Sequence, residues 1–275
     1  MAITSMVRIL ASVAMIVFAG AVTVSATGAF FSDTENSAGN TFTAGTLNLQ
    51  VDNESYVTNN VGDLVASPNN TWSLKDMTTG DMFFSFTDLK PGDIGEDTIS
   101  LHPGTNNAWA CMNVETTGIP ENSLEDSEVA AGDTGPANDE NGELQTYLNF
   151  YFWHDDGDNV FEDDETTFMN GTAASLFTGT WTTIADSVTA VPLTGGESTY
   201  VGKAWCFGGL TPAAVDQDDL GKTGTNGPLD RGTGFTCSGA GDQANAQSDG
   251  IVVDVSFYAE QARNNAGFMC SSLNT

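Results

Sequence analysis

Basic residues are scarce in this chain of 275 residues: 7 Lys and Arg stand against 37 Asp and Glu, a formal charge of −30. Phosphate backbones and anionic lipid surfaces would be repelled, so nucleic acid and membrane-surface partners are excluded. Such a surface suits cations, or solubility at high salt. Histidine is scarcer still, with His102 and His154 alone and far apart in sequence. The chain contains no HExxH, GxSxG or CxxC motif. A zincin site, a nucleophile elbow and a zinc or thioredoxin-type cysteine pair therefore have no sequence support. Acid pairs are too abundant for any two to stand out as a glycosidase dyad, and the chain reads as a non-enzyme. Helix is scarce, with one short turn expected over Thr172 to Phe177. There is no internal repeat and no block of like charge long enough to form an acidic tail.

One long apolar run exists, from Ile9 to about Ala26, with Arg8 as the only charge before it. Small residues from Ser25 to Ala29 follow. This is the pattern of a cleaved export signal over residues 1–28, the rival reading being an uncleaved membrane anchor. On the first reading no membrane span remains after processing. The four cysteines, Cys111, Cys206, Cys237 and Cys270, all follow the signal. Two disulfides in an oxidising, extracellular space are expected. Of three possible pairings, Cys206–Cys237 is favoured because it closes the Gly- and Pro-rich stretch between them, which leaves Cys111–Cys270.

Beyond the signal the hydrophobic period is two. Phe42 and Ala44, then Leu47, Leu49 and Val51, alternate with polar residues around Gly45. Further strand-like runs are Met82–Phe86, Ile99–Leu101, Trp109–Val114, Tyr147–Trp153, Val188–Leu193, Tyr200–Phe207 and Ile251–Tyr258. Gly, Pro, Asn and Asp clusters separate them. Eight to ten such strands predict an all-β fold, an antiparallel jelly-roll-like sandwich with long acidic loops and little helix. Residues 117–145, acidic and poor in large apolar side chains, read as a long excursion from it. The five Trp lie in or beside these runs, where core packing is their expected role.

The sharpest motif is His154-Asp155-Asp156-Gly157-Asp158-Asn159-Val160-Phe161-Glu162-Asp163-Asp164-Glu165, directly after an aromatic strand. Ca²⁺ takes six to eight oxygens from a sharply turning loop. With Glu165 as the last, bidentate position of an EF-hand-like loop, Asp156, Asp158, Val160 (through its carbonyl) and Glu162 fall on earlier ligand places. The first place then falls on His154, a poor calcium ligand, unless Asp155 replaces it by a shift of register. The bland reading is a solvated acidic turn.

Ala29-Phe30-Phe31-Ser32-Asp33-Thr34-Glu35 and Gly39-Asn40-Thr41-Phe42-Thr43-Ala44-Gly45-Thr46-Leu47-Asn48-Leu49 resemble the N-terminus of the TasA/camelysin family of exported biofilm-matrix proteins. Asp88-Leu89-Lys90-Pro91-Gly92-Asp93 is similar to that family's turn, and Val255 to Asn265 to its closing strand. The four cysteines and the acidic loop are not features of its best-known members. The resemblance implies a leader removed by a SipW-type signal peptidase. It also implies a jelly-roll subunit that polymerises head to tail with itself by donating an N-terminal strand. Residues 29–41 would be the donor segment, with Ala29, Phe30 and Phe31 at the new end, and residues 42–275 one sandwich domain. The alternatives are a monomeric, calcium-dependent adhesion module at the cell surface and a camelysin-like metallopeptidase.

Overall fold

Alternation of apolar and polar residues produces what it should, a set of antiparallel strands with one face inward. The computed structural model describes residues 32–36, 47–241 and 243–274. In chain order the elements are β1 (Ser32–Asn36), β2 (Leu49–Thr58), β3 (Leu64–Ala66), β4 (Trp72–Lys75), β5 (Ile94–Pro103) and β6 (Ala108–Gly118). Then come α1 (Asp126–Ala131), α2 (Leu144–Tyr147), β7 (Leu148–Asp155), β8 (Thr166–Thr172), α3 (Ala173–Leu176) and β9 (Thr178–Ala185). β10 (Thr199–Phe207), β11 (Gly209–Pro212), α4 (Pro228–Arg231), β12 (Phe235–Ser238) and β13 (Val252–Gln261) complete the series. A four-stranded sheet runs β1-β13-β6-β9, and a seven-stranded sheet runs β3-β2-β5-β10-β7-β8 with β4 also on β2. All pairs between these strands are antiparallel. The all-β, antiparallel expectation is met, with α3 where one helical turn was expected. Ser32–Thr275 forms one compact unit. The signal at 1–28, the segment Ala29-Phe30-Phe31 and the Phe42–Thr46 part of the first run lie outside the described residues.

Two local expectations need correcting, and a third gains detail. Met82–Phe86 is not a strand. A strand would send Phe83 and Phe84 to opposite faces, but both rings turn into the core. Phe83 packs on Trp72 and Phe257, and Phe84 on Phe150 and Phe177. Val188–Leu193 is a turn in which Val188 and Val191 are exposed and Ala190 has φ 59°; only Leu193 bridges to Ala108. Residues 117–145 carry α1, part of α2 and a bridge from Glu121 to Asp139. Their order comes from polar contacts rather than apolar burial.

Both disulfides follow the favoured pairing: Cys111–Cys270 and Cys206–Cys237. The first ties the middle of β6 to the C-terminal 3-10 turn Cys270–Leu273, the second ties β10 to β12. The same C-terminal turn is held by Asp186. Its Oδ2 accepts from Cys270 N and Thr183 Oγ1, and its Oδ1 from Val188 N. Burial alone would raise this carboxyl, but the backbone donors Val188 and Cys270 and the Thr183 hydroxyl outweigh it and hold it below the ordinary range. A depressed folded-state pKa means stability present above about pH 4 and lost as pH falls further. Asp186→Asn should therefore cost about 1–2 kcal/mol at pH 7 and less near pH 2, measured by urea unfolding at both values. An equal loss at both would show that the charge is irrelevant.

Both faces of β5 are covered: every residue from Gly95 to Leu101 is buried. On the inner face Ile99 and Leu101 join the sandwich core. The outer face lies under a second layer made by the Asp156–Glu165 loop and the β11–β12 hairpin. Trp153, Phe161, Ala204 and Phe235 form its apolar centre. Gly202 makes this possible, since a Cβ there would sit 2.1 Å from the Trp153 ring.

Candidate metal centre

β7 delivers the acidic loop onto the outer layer. Trp153 Nε1 donates to Asp155 Oδ1, and Asp155 Oδ2 accepts from Thr98 Oγ1 and Gly157 N. Gly157 turns with φ 112°, where the Tyr200 ring leaves no room for a larger side chain. Glu165 closes the loop: Oε1 accepts from Asp156 N and Oε2 from Glu162 N. Phe161 N donates to Thr233 O, Val215 N to Phe161 O and Asp163 N to Val215 O, which brings Asp218 of the 213–235 segment alongside.

Two acid triads result, each with one oxygen per residue inside a 4.8 Å span: Asp155, Asp156 and Glu165, and Asp156, Glu162 and Asp218. That span matches oxygens on opposite sides of one Ca²⁺, about 5 Å apart at ligand distances near 2.4 Å. Glu96, from the outer face of β5, is fully buried and neither carboxylate oxygen has a hydrogen-bond partner. Burial first, then the charge of Asp155, pushes its carboxyl well above the usual range. Burial and neighbouring acids likewise raise Asp155 and Asp158 to about 7 and Glu165 to about 9. A cation bound among these acids would relieve the repulsion that, with burial, otherwise favours their protonated forms.

The five residues expected as ligands thus divide. Asp156, Glu162 and Glu165 belong to the triads. Asp158 does not: its Oδ1 caps Val160 N, and its Oδ2 accepts from Arg231 and Asn226. Val160 is wholly buried, and His154 lies against Phe168 at 5.0 Å between ring centres. The Arg231 guanidinium also reaches Glu162 and Asp218, so one side of the acid group already has a counter-charge. Asp156 is common to both triads, and Asp155 and Asp218 join the three expected ligands. Sequence reasoning missed Glu96, Asp218 and Arg231. Signals existed: Glu96-Asp97 puts two acids inside a strand, and Asp216 to Asp219 holds three acids.

A second polar constellation joins β2, β5 and the residue that precedes β10. Ser198 Oγ lies 2.9 Å from His102 Nδ1, and Asp52 Oδ2 lies 3.1 Å from Nε2. A hydrolytic triad places the serine on Nε2 and the carboxylate on Nδ1. Here the order is reversed, and neither described cavity is lined by these residues. The arrangement is a cross-strand network of a sheet face.

Among the described residues no helix is long and apolar enough to cross a membrane. Comparison with protein-family models finds no match, and comparison with curated proteins finds none either.

Proposed function

We propose that this chain is an exported, non-catalytic structural subunit that assembles by exchanging its N-terminal strand between copies, with a Ca²⁺-stiffened loop on its outer layer. The observation that carries this reading is the position of β1. It pairs residue for residue with Ser256–Glu260 of β13, at the edge of the four-stranded sheet. Main-chain hydrogen bonds of this kind are the same whichever copy supplies the strand. A neighbour's segment can take the same edge, and because donor and acceptor are different surfaces the contact propagates rather than closes. The β13 residues Val252 to Val255, next to this pairing, border an apolar groove of about 1180 Å³ with Phe84, Phe150 and Phe177 in its wall. The two disulfides fit an oxidising compartment.

The test uses material beginning at Ala29. Electron microscopy should show filaments, which deletion of residues 29–36 abolishes. Thr34 lies opposite Tyr258, so Thr34→Cys with Tyr258→Cys should trap assembled chains as a ladder on a non-reducing gel. A monomer band alone, with filaments present, would refute strand exchange. Particles that stay monodisperse at high concentration would favour a closed monomer with β1 on its own sheet, a binding module.

A further inference from the structure

The described chain holds a second acid cluster, on different elements from the first. Glu121 sits in the bridge to Asp139, Glu128 on α1, Asp133 just past the end of α1, Glu143 at the cap of α2, and Asp249 before β13. The backbone brings them together: Gly250 N donates to Pro120 O, and Glu143 N to Asp249. Gly142 allows this approach, since a Cβ there would lie 2.9 Å from the Asp249 carboxyl carbon.

Three of the five carboxylates are oriented in one manner. One oxygen is held by a backbone N–H: Glu128 Oε2 by Glu125, Asp133 Oδ1 by Gly135, Asp249 Oδ2 by Glu143. The other oxygen of each is buried without a partner. Glu143 Oε2 is also buried and unpartnered, and Glu121 has no hydrogen bond on either oxygen. Glu121 and Glu128 are 0% exposed and Asp133 9%. Six carboxylate oxygens therefore lie buried with no donor, except a proton that Glu121 and Asp249 would have to share. Among the described residues no Lys, Arg or His forms an ion pair with any of the five. Leaving buried carboxylates in this state is strongly unfavourable. Burial and then the Asp249 charge push the Glu121 carboxyl up to about 7.

The oxygens fall into two triads, each within a 4.8 Å span: Glu121 with Glu143 and Asp249, and Glu121 with Glu128 and Asp133. Glu121 belongs to both. We propose that these five residues form a calcium site in which Glu121 bridges two ions. Two Ca²⁺ reduce the local charge from five negative to one, whereas a single ion leaves three. Ca²⁺ suits a site made from protein oxygens, whereas Mg²⁺ is reluctant to shed its waters. The ions would fasten the 117–145 excursion to the segment before β13, a job that its few apolar residues leave undone.

The experiment uses the full chain with Asp156→Asn and Glu165→Gln, which silences the outer-layer loop. After chelator treatment, calorimetric titration with Ca²⁺ should give two ions per chain, and Glu121→Gln should weaken binding at least tenfold. A second readout needs no silenced background. In chelator, Glu121→Gln should melt above the unsubstituted chain, because a buried charge is gone; in millimolar Ca²⁺ it should melt below it. No heat at millimolar Ca²⁺, or melting temperatures in the same order in both media, overturns the site. A stoichiometry of one overturns the bridge.

Discussion

Serine at both Cys111 and Cys270 is expected to lower the free energy of unfolding by roughly 5 kcal/mol, against roughly 4 kcal/mol for the same change at Cys206 and Cys237. The difference comes from sequence separation, 159 residues against 31, since a longer closed loop restricts the unfolded chain more. The folded side adds to it. Cys111 pairs across β6 with Tyr258 on β13 and Thr183 on β9, and both Cys111 and Cys270 are fully buried. The Cys111 bridge therefore clamps the centre of the smaller sheet, whereas the Cys206 bridge fastens a two-stranded flap to the larger one. Chemical denaturation of the two double variants checks the order. A Cys206/Cys237 variant that loses as much or more would show that native-state strain, not chain entropy, sets the effect.

Lys203→Met is the second large change. Lys203 on β10 stands directly across from Asp97 on β5, with Nζ 2.8 Å from Oδ1 and side chains 1% and 0% exposed. Its ammonium also lies 3.5 Å from the centre of the Phe84 ring. Burial raises the Asp97 carboxyl to about 6 even against the pull of Lys203, and burial lowers the lysine. Neither Asp97 oxygen has a well-directed hydrogen bond, so charge is what holds the pair. Removing one partner strands the other in the core at a cost of about 3–5 kcal/mol. Lys203→Met with Asp97→Leu should recover most of that loss, because a packed apolar pair replaces a dehydrated ionic one. Urea unfolding of both variants measures it. A single variant within about 1 kcal/mol of the parent would mean that Asp97 is already protonated.

The strands were legible wherever one face meets the core and the other meets water. β2 shows it, with Leu49 and Val51 inward between half-buried Gln50 and Asp52. The reading failed where a segment packs adjacent residues to one side, as Phe83 and Phe84 do. It gave no detail where order rests on carboxylates and backbone donors, which leave no hydrophobic period: the 117–145 stretch is an excursion, but α1 and the Glu121–Asp139 bridge within it were not legible. The acidic loop was legible as a cluster, but spacing alone could not identify which acids converge. Asp158 is drawn off by Arg231, a residue more than seventy positions downstream, while Asp218 enters from the connection after β11 and Glu96 from β5. The resemblance to matrix-fibre proteins rests heavily on residues 29–46, of which the structure describes only Ser32–Asn36.

The two bridges are nested, Cys111–Cys270 enclosing Cys206–Cys237. On the export route proposed above, a chain threaded outward from its N-terminus would present its thiols in the order 111, 206, 237, 270. An oxidant that joins each pair as it emerges makes Cys111–Cys206 and Cys237–Cys270, both wrong. Correct pairing therefore requires that β10 and β12 meet before Cys111 is oxidised, or that an isomerase reshuffles the first product by thiolate exchange. The producing cell must either delay oxidation or repair it.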